Sequence, residues 1–274
     1  MYYKHDLDYE YPDACDGHMI TVRKVRNLTF DTHYPYLDRR RRFKFLRGIY
    51  WILLNLIVFP VCRLSHGLRI YGKKHLKKHK KALKNGAITV SNHVFYWDYL
   101  CVLKAIRPHL AYFPAWTDNL EGPCGKLIRL SGGIPVPTQS VHAMMHFNRA
   151  IETVLEEGKW LHFFPEGSMW FFYPDIRPLK KAVFQYAVKF GKPVIPISMS
   201  FRPRRGLTRL FTKKPCVDLH VGEPLFPDPA LSPQEAAEAL RRDAYHMMQE
   251  MNGIHPGDPT YNTDQEPSHY QKTM

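Results

Sequence analysis

The sequence predicts an α/β fold: a mixed sheet surrounded by helices, with a further helical element ahead of it. Two observations lead there. From about residue 86 onward, short apolar runs alternate with helix-length amphipathic segments, the pattern of a sheet wrapped by crossover helices. Ahead of them, residues 39–85 join an apolar run to a dense basic stretch. With 274 residues and 45% hydrophobic content, the chain is long enough to bury a full core in one large domain.

Residues 1–38 carry seven Asp or Glu against four Lys or Arg and are rich in tyrosine, without sustained periodicity. They are expected to form a loosely ordered polar extension. Residues 39–84 then hold fifteen Lys and Arg and no acid, more than the whole net charge of +14. Inside this stretch lies the apolar run Ile49–Cys62, with aromatic residues near its ends and cations on both sides. Hydrophobe flanked by cations reads as membrane attachment, each basic residue adding about 1 kcal/mol near an anionic leaflet. The run has 14 residues, short of the ~20 that span a hydrocarbon core. Residues 39–85 are therefore predicted to be a docking segment, re-entrant or interfacial, that holds the protein at the cytoplasmic face of the membrane as a peripheral or monotopic protein.

Nucleic acid is the other polyanion that a basic chain suggests. Lys73–Lys84 has no interleaved aromatics and no recognised motif, which argues against it. Cys15, Cys62, Cys101, Cys124 and Cys216 are scattered without a C-x-x-C pair, and the polar start is not a secretory signal. Neither a disulfide framework nor a zinc knuckle is suggested, and a reducing compartment fits.

The catalytic-domain elements are expected in this order over residues 86–252. Ala87–Val90 reads as a strand running into Ser91-Asn92-His93, followed by a helix over Tyr96–Ile106 and a strand over Leu110–Pro114. Gly125–Leu130 is a short helix, Ile134–Val136 a brief strand, and Val141–Glu157 a helix that Gly158 can close in the left-handed region. Trp160–Phe164 is a strand that leads into Pro165-Glu166-Gly167. Pro178 is expected to open a helix that Gly191 ends, with Leu179, Val183, Tyr186, Ala187 and Phe190 on one face. Strands over Val194–Met199 and Val217–Val221 follow, and Ser232-Pro233-Gln234-Glu235 is a capping box that starts a helix to about Met251. Residues 253–274 are polar and aperiodic, and are expected to be a mobile tail.

His93 falls where an apolar strand gives way to a polar turn, and Asp98 follows five residues later. A turn of that length can fold the carboxylate back onto the imidazole, fixing its tautomer and leaving the other ring nitrogen free as a general base. The alternative is that Asp98 only caps the next helix. Phe164-Pro165-Glu166-Gly167 sits at a second strand end, where Glu166 could accept hydrogen bonds from a head group and Gly167 permits close backbone approach.

In order, Asn92-His93-x-x-x-x-Asp98, the block Gly132–Pro137, Phe164-Pro165-Glu166-Gly167 and Val194-Ile195-Pro196-Ile197 resemble the four blocks of the glycerophospholipid acyltransferase family, typified by the 1-acylglycerol-3-phosphate acyltransferases. The resemblance covers about residues 48 to 225. It implies transfer of a fatty acyl group from a thioester, acyl-CoA or acyl carrier protein, to a hydroxyl of a lysophospholipid or related lipid in phospholipid biosynthesis. It implies His93 as base, Asp98 as its orienting partner, the N–H of Gly167 as a donor to the oxyanion, and no metal or organic cofactor.

Two positions depart from the family pattern. Where members acting on lysophosphatidic acid carry arginines in the second and third blocks, this chain has Thr138 and Met169. Gly133 and Thr138 are thus the second-block residues placed at the acceptor, with Arg177, Lys180 and Lys181 as basic substitutes nearby. Trp170, Phe171, Phe172 and Tyr173 add an aromatic wall suited to an acyl chain or bulky head group, or to plain packing. Transacylation between phospholipids, or a catalytically silent lipid-binding role on the same scaffold, are the alternatives.

Overall fold

The structure is a computed structural model that describes residue 4 and residues 7–206, 209, 212–258 and 261–262. The part of the expected tail at residues 263–274 lies outside the described residues.

Residues 7–38 form no helix or strand, as expected, but they are not loose. They run as a strap against the domain, tied by Trp170 Nε1 to Gly17 O at 2.8 Å, by Arg177 Nη1 to Cys15 O at 2.8 Å, and by Lys24 to Asp118 and Glu121.

A continuous helix then covers Arg41–Ser65. It comprises α1 (Arg41–Leu53), a π-helical stretch (Leu54–Val58) and α2 (Phe59–Ser65). Pro60 lacks an N–H and breaks the ladder just past the π-helical turn. Asn55 Nδ2 donates to the Trp51 carbonyl at 2.7 Å within the same region. The apolar run is therefore only part of a 25-residue helix, about 37 Å long. The basic turn Arg41–Arg47 is helical too, so by length and composition the helix could cross a bilayer. The 14-residue apolar run is thus one part of a longer helix.

The remaining elements are β1 (Arg69–Tyr71), α3 (Lys73–Lys78), β2 (Ile88–Ser91), α4 (Asp98–Ala105), β3 (Ala111–Trp116), α5 (Thr117–Glu121), α6 (Gly125–Ser131), β4 (Gly133–Val136), α7 (Val141–Glu156), β5 (Trp160–Phe163), α8 (Ala182–Lys189), β6 (Val194–Arg202), β7 (Cys216–Val221) and α9 (Pro233–Met251). The seven strands lie in the order β1-β7-β6-β2-β5-β3-β4. All neighbours pair parallel except β6 and β7, so the sheet is mixed.

Side-chain alternation divides the core into two layers. Ile88 and Val90 of β2 face α7, α8 and α9, packing with Ile151, Val154, Phe184 and Leu240. Ile195, Ile197 and Met199 of β6 face the opposite way, toward α4 and the long helix, with Val102, Leu103, Leu54 and Phe59. Helix α9 starts on the predicted capping box, Glu235 N–H to Ser232 Oγ and Ser232 N–H to Glu235 Oε2. Helix α8 starts at Ala182, four residues after Pro178, because Arg177 and Lys180 use their backbone N–H groups on Glu166 and Pro165.

Candidate active site

Central strand β2 delivers His93 to the carboxyl edge of the sheet, and its neighbour β5 delivers Glu166 to the same edge. Such an edge, where the chain crosses from one side of a strand to the other, is the usual seat of function in α/β sheets. Asn92 fixes the turn: its amide gives Nδ2 to Met199 O at 2.9 Å and takes Met199 N–H at 2.8 Å. Asp98, the first residue of α4, folds back so that Oδ2 lies 2.5 Å from His93 Nδ1 and accepts the Val94 N–H at 3.0 Å. Its other oxygen accepts the Tyr99 N–H at 2.6 Å.

The carboxylate thus closes the turn and orients the ring, while the N-cap position of α4 is Trp97, which makes no side-chain capping bond. With Nδ1 committed to Asp98, Nε2 is the ring nitrogen left to exchange a proton. The ring stacks on Phe164 at 3.9 Å and 15°, while the side chain keeps 24% of its surface exposed. A fixed tautomer, a buried carboxylate and an accessible second nitrogen are the parts of a general base.

Glu166 is buried, and its carboxylate is fully engaged within the protein. Oε2 accepts the His93 N–H at 3.0 Å and Arg177 Nη2 at 2.8 Å, and Oε1 accepts the Arg177 N–H at 2.9 Å. Arg177 in turn lies wholly inside, bonded to Ser168 Oγ at 3.0 Å and stacked over Trp170 at 4.4 Å. Both were expected to meet a substrate; instead they knit the His93 turn to the loop after β5. The same seam continues in the backbone, from Trp170 N–H to His93 O at 2.9 Å and from Phe172 N–H to Val94 O at 2.8 Å.

Gly167 has φ +91°, a left-handed conformation that favours glycine. Its N–H donates to Phe164 O at 3.1 Å, closing the turn. That bond engages the donor that the resemblance assigned to the oxyanion, and the assignment is withdrawn. Lys180 reaches over Gly167 and pairs with Asp16 of the strap at 2.9 Å, and Lys181 is exposed, 3.8 Å from Glu238.

Gly133 starts β4 at the opposite edge of the sheet, and Thr138 is exposed beyond its end, three strands from β2. At about 4.8 Å per strand, the structure does not bring either to His93. The aromatic wall is internal packing: Trp170 stacks on Tyr11 at 5.3 Å, and Phe171 and Phe172 on Tyr9 at 5.7 and 6.2 Å.

Sequence reasoning missed His162, which is fully buried in β5 close to His93. It contacts Thr89 Oγ1 at 2.9 Å, and its burial, reinforced by His93, pushes its pKa down to about 3. The available signal was a polar face, Thr89, Ser91 and His162, on otherwise apolar strands.

Residues 67–200 match the protein family described as Acyltransferase. The chain carries an acyltransferase-family domain. That domain runs from β1 into β6 and contains His93, Asp98, Glu166 and Arg177, while the strap, the long helix, β7 and α9 lie outside it. No curated protein matches the sequence. Among solved structures, the chain is similar to the 1-acyl-sn-glycerophosphate (LPA) acyltransferase PlsC from Thermotoga maritima, at 20% identity and a TM-score of 0.47, over 79% of this chain and 85% of that one.

Proposed function

We propose that this acyltransferase moves a fatty acyl group from a thioester, acyl-CoA or acyl carrier protein, to a hydroxyl of a lysophospholipid or related lipid at a membrane surface. The 2.5 Å contact between His93 Nδ1 and Asp98 Oδ2 carries the reading. His93 Nε2 takes the proton of the acceptor hydroxyl as its oxygen attacks the thioester carbonyl carbon. The tetrahedral intermediate then collapses, the carbon–sulfur bond breaks, and the imidazolium returns its proton to the departing thiolate. Asp98 stabilises the imidazolium between these transfers. None of these steps calls on a metal or an organic cofactor.

The long helix supports the membrane setting. Phe45, Ile49, Ile52, Leu56, Ile57 and Leu64 are exposed along it, a stripe of a kind that marks a partner or a lipid surface. The helix is also tied sideways to the domain, by Tyr50 OH to Ser131 Oγ at 2.9 Å and by Lys104 Nζ to Phe59 O at 2.7 Å. A helix fixed along its flank lies on a bilayer with the domain, which favours interfacial seating over spanning.

The test is His93→Ala in purified protein, assayed with acyl-CoA, acyl carrier protein thioesters and a panel of lyso-lipids. Acyl transfer should vanish while the thermal transition stays in place. Retained transfer by a folded variant would sink the mechanism.

A further inference from the structure

A cleft of about 390 Å³ opens between β1 and the end of α4, lined by Ile70, Lys73, Lys104, Arg107 and Pro108. Three of the five lining residues are cations and none is an acid. Some surface cations find carboxylates, as Lys78 does Glu223, Lys180 does Asp16 and Lys189 does Glu152. Among the described residues, none of Lys73, Lys104 and Arg107 forms an ion pair. Burial, and then the neighbouring cations Arg107, Lys77 and Lys104, hold the Lys73 ammonium below the usual lysine range; burial and Arg63 and Arg107 do the same for Lys104. An anion entering the cleft would relieve that crowding, and a cavity of this size accommodates a phosphate-bearing group.

The cleft adjoins the long helix. Lys104 Nζ donates to the Phe59 carbonyl, and both Lys104 and Arg107 lie 6.0 Å from the Phe59 ring. One helical turn before Phe59, Leu56 is 70% exposed and continues the apolar stripe. Charge for a phosphate thus meets hydrocarbon for acyl chains. Helix α4 separates the cleft from the reacting pair, since Asp98 opens that helix and Lys104 stands near its end, about 9 Å further along the axis.

We propose that the cleft of Lys73, Lys104 and Arg107 is a binding site for the phosphate of an anionic phospholipid, whose chains run along the exposed face of the long helix. Bound there, the lipid fixes how the domain sits on the bilayer without taking part in the transfer. The choice of a lipid rests on the membrane seating proposed above; the affinity of the cleft for a phosphate does not.

The test titrates the full-length protein with short-chain phosphatidylglycerol below its micelle concentration, followed by calorimetry. Saturable one-to-one binding is expected. The double substitution Lys73→Gln, Arg107→Gln should weaken it roughly twenty-fivefold, two contacts each contributing about fivefold. The charge-matched pair Lys80→Gln, Lys84→Gln should leave it unchanged. Equal weakening by both pairs, or no saturation, would mean diffuse attraction and overturn the site.

Two further arms separate the sources of phosphate. Cosedimentation with phosphatidylcholine vesicles, with and without phosphatidylglycerol, reads the membrane seating: no sedimentation with either, alongside intact binding of the soluble lipid, removes the seating and leaves the cleft. A raised KM for acyl-CoA in the Lys73, Arg107 variant, with competition by adenosine 3′,5′-bisphosphate, would assign the cleft to the acyl donor and overturn the lipid.

Discussion

Glu166 and Arg177 form an ion pair 2.8 Å long in which neither side chain reaches solvent. A lone charge left in such a place is expensive, so removing one partner should destabilise by about 3–5 kcal/mol. Glu166→Ala should therefore lower stability sharply in urea titrations, and it also withdraws the acceptor of the His93 N–H. Removing Glu166 and Arg177 together should cost less than the sum of the single changes. Additive losses would show that the pair is not coupled and that Glu166 is free to serve a substrate.

Asp98→Asn keeps the size of the side chain but removes its charge beside His93 Nδ1. An amide can no longer stabilise the imidazolium and can present the wrong group to the ring, so kcat should fall by about 10³-fold or more. The carboxylate also takes the Val94 and Tyr99 N–H groups. Circular dichroism should therefore accompany the rate measurement, with a native spectrum expected. Near-normal turnover would remove Asp98 from the mechanism.

The parts of this architecture that repeat locally were legible in the sequence. Strands β2, β5 and β6 are short apolar runs, and α9 announces itself through Ser232 and Glu235. The His93–Asp98 turn was also visible, because both partners lie within one turn of chain. What escaped depends on contacts between distant segments. The strap has no periodicity, and its course is set by bonds such as that from Trp170 to Gly17, 153 residues apart. Strand β1 has three residues, too few to show alternation. Arg177 reads as a cation offered to the acceptor until Glu166 is seen to turn it inward.

His162 makes stability depend on pH. Its folded pKa of about 3 lies below the ordinary value of 6.5, so the unfolded chain binds the proton more readily. Stability from this group is complete above pH 6.5 and is lost as pH falls from there toward 3. The loss should be about 1.6 kcal/mol between pH 6.5 and 5, the slope rising toward 1.36 kcal/mol per pH unit as the unfolded histidine becomes fully protonated. His162→Gln should flatten that slope in denaturant titrations at the two pH values. An unchanged slope would mean that the histidine is protonated in the native protein.

Asp16 places a carboxylate on Lys180, directly above Gly167 in the turn that follows β5. The ammonium lowers the pKa of Asp16, first by hydrogen bonding and then by charge, so the carboxylate is ionised at neutral pH. A phosphate-bearing acceptor that approached Lys180 would compete with this carboxylate and meet its negative field, whereas a neutral acceptor would not. Asp16→Asn should therefore raise the ratio of kcat/KM for lysophosphatidate to that for monoacylglycerol by roughly two- to fivefold, the range of an exposed ion pair. Adding Lys180→Gln should cancel the gain, because no cation then remains for the phosphate to claim. Both side chains are about half exposed, so the melting temperature should barely move, and a change in selectivity can be read apart from a change in folding. If the ratio stays fixed in Asp16→Asn, the strap does not influence which acceptor is taken.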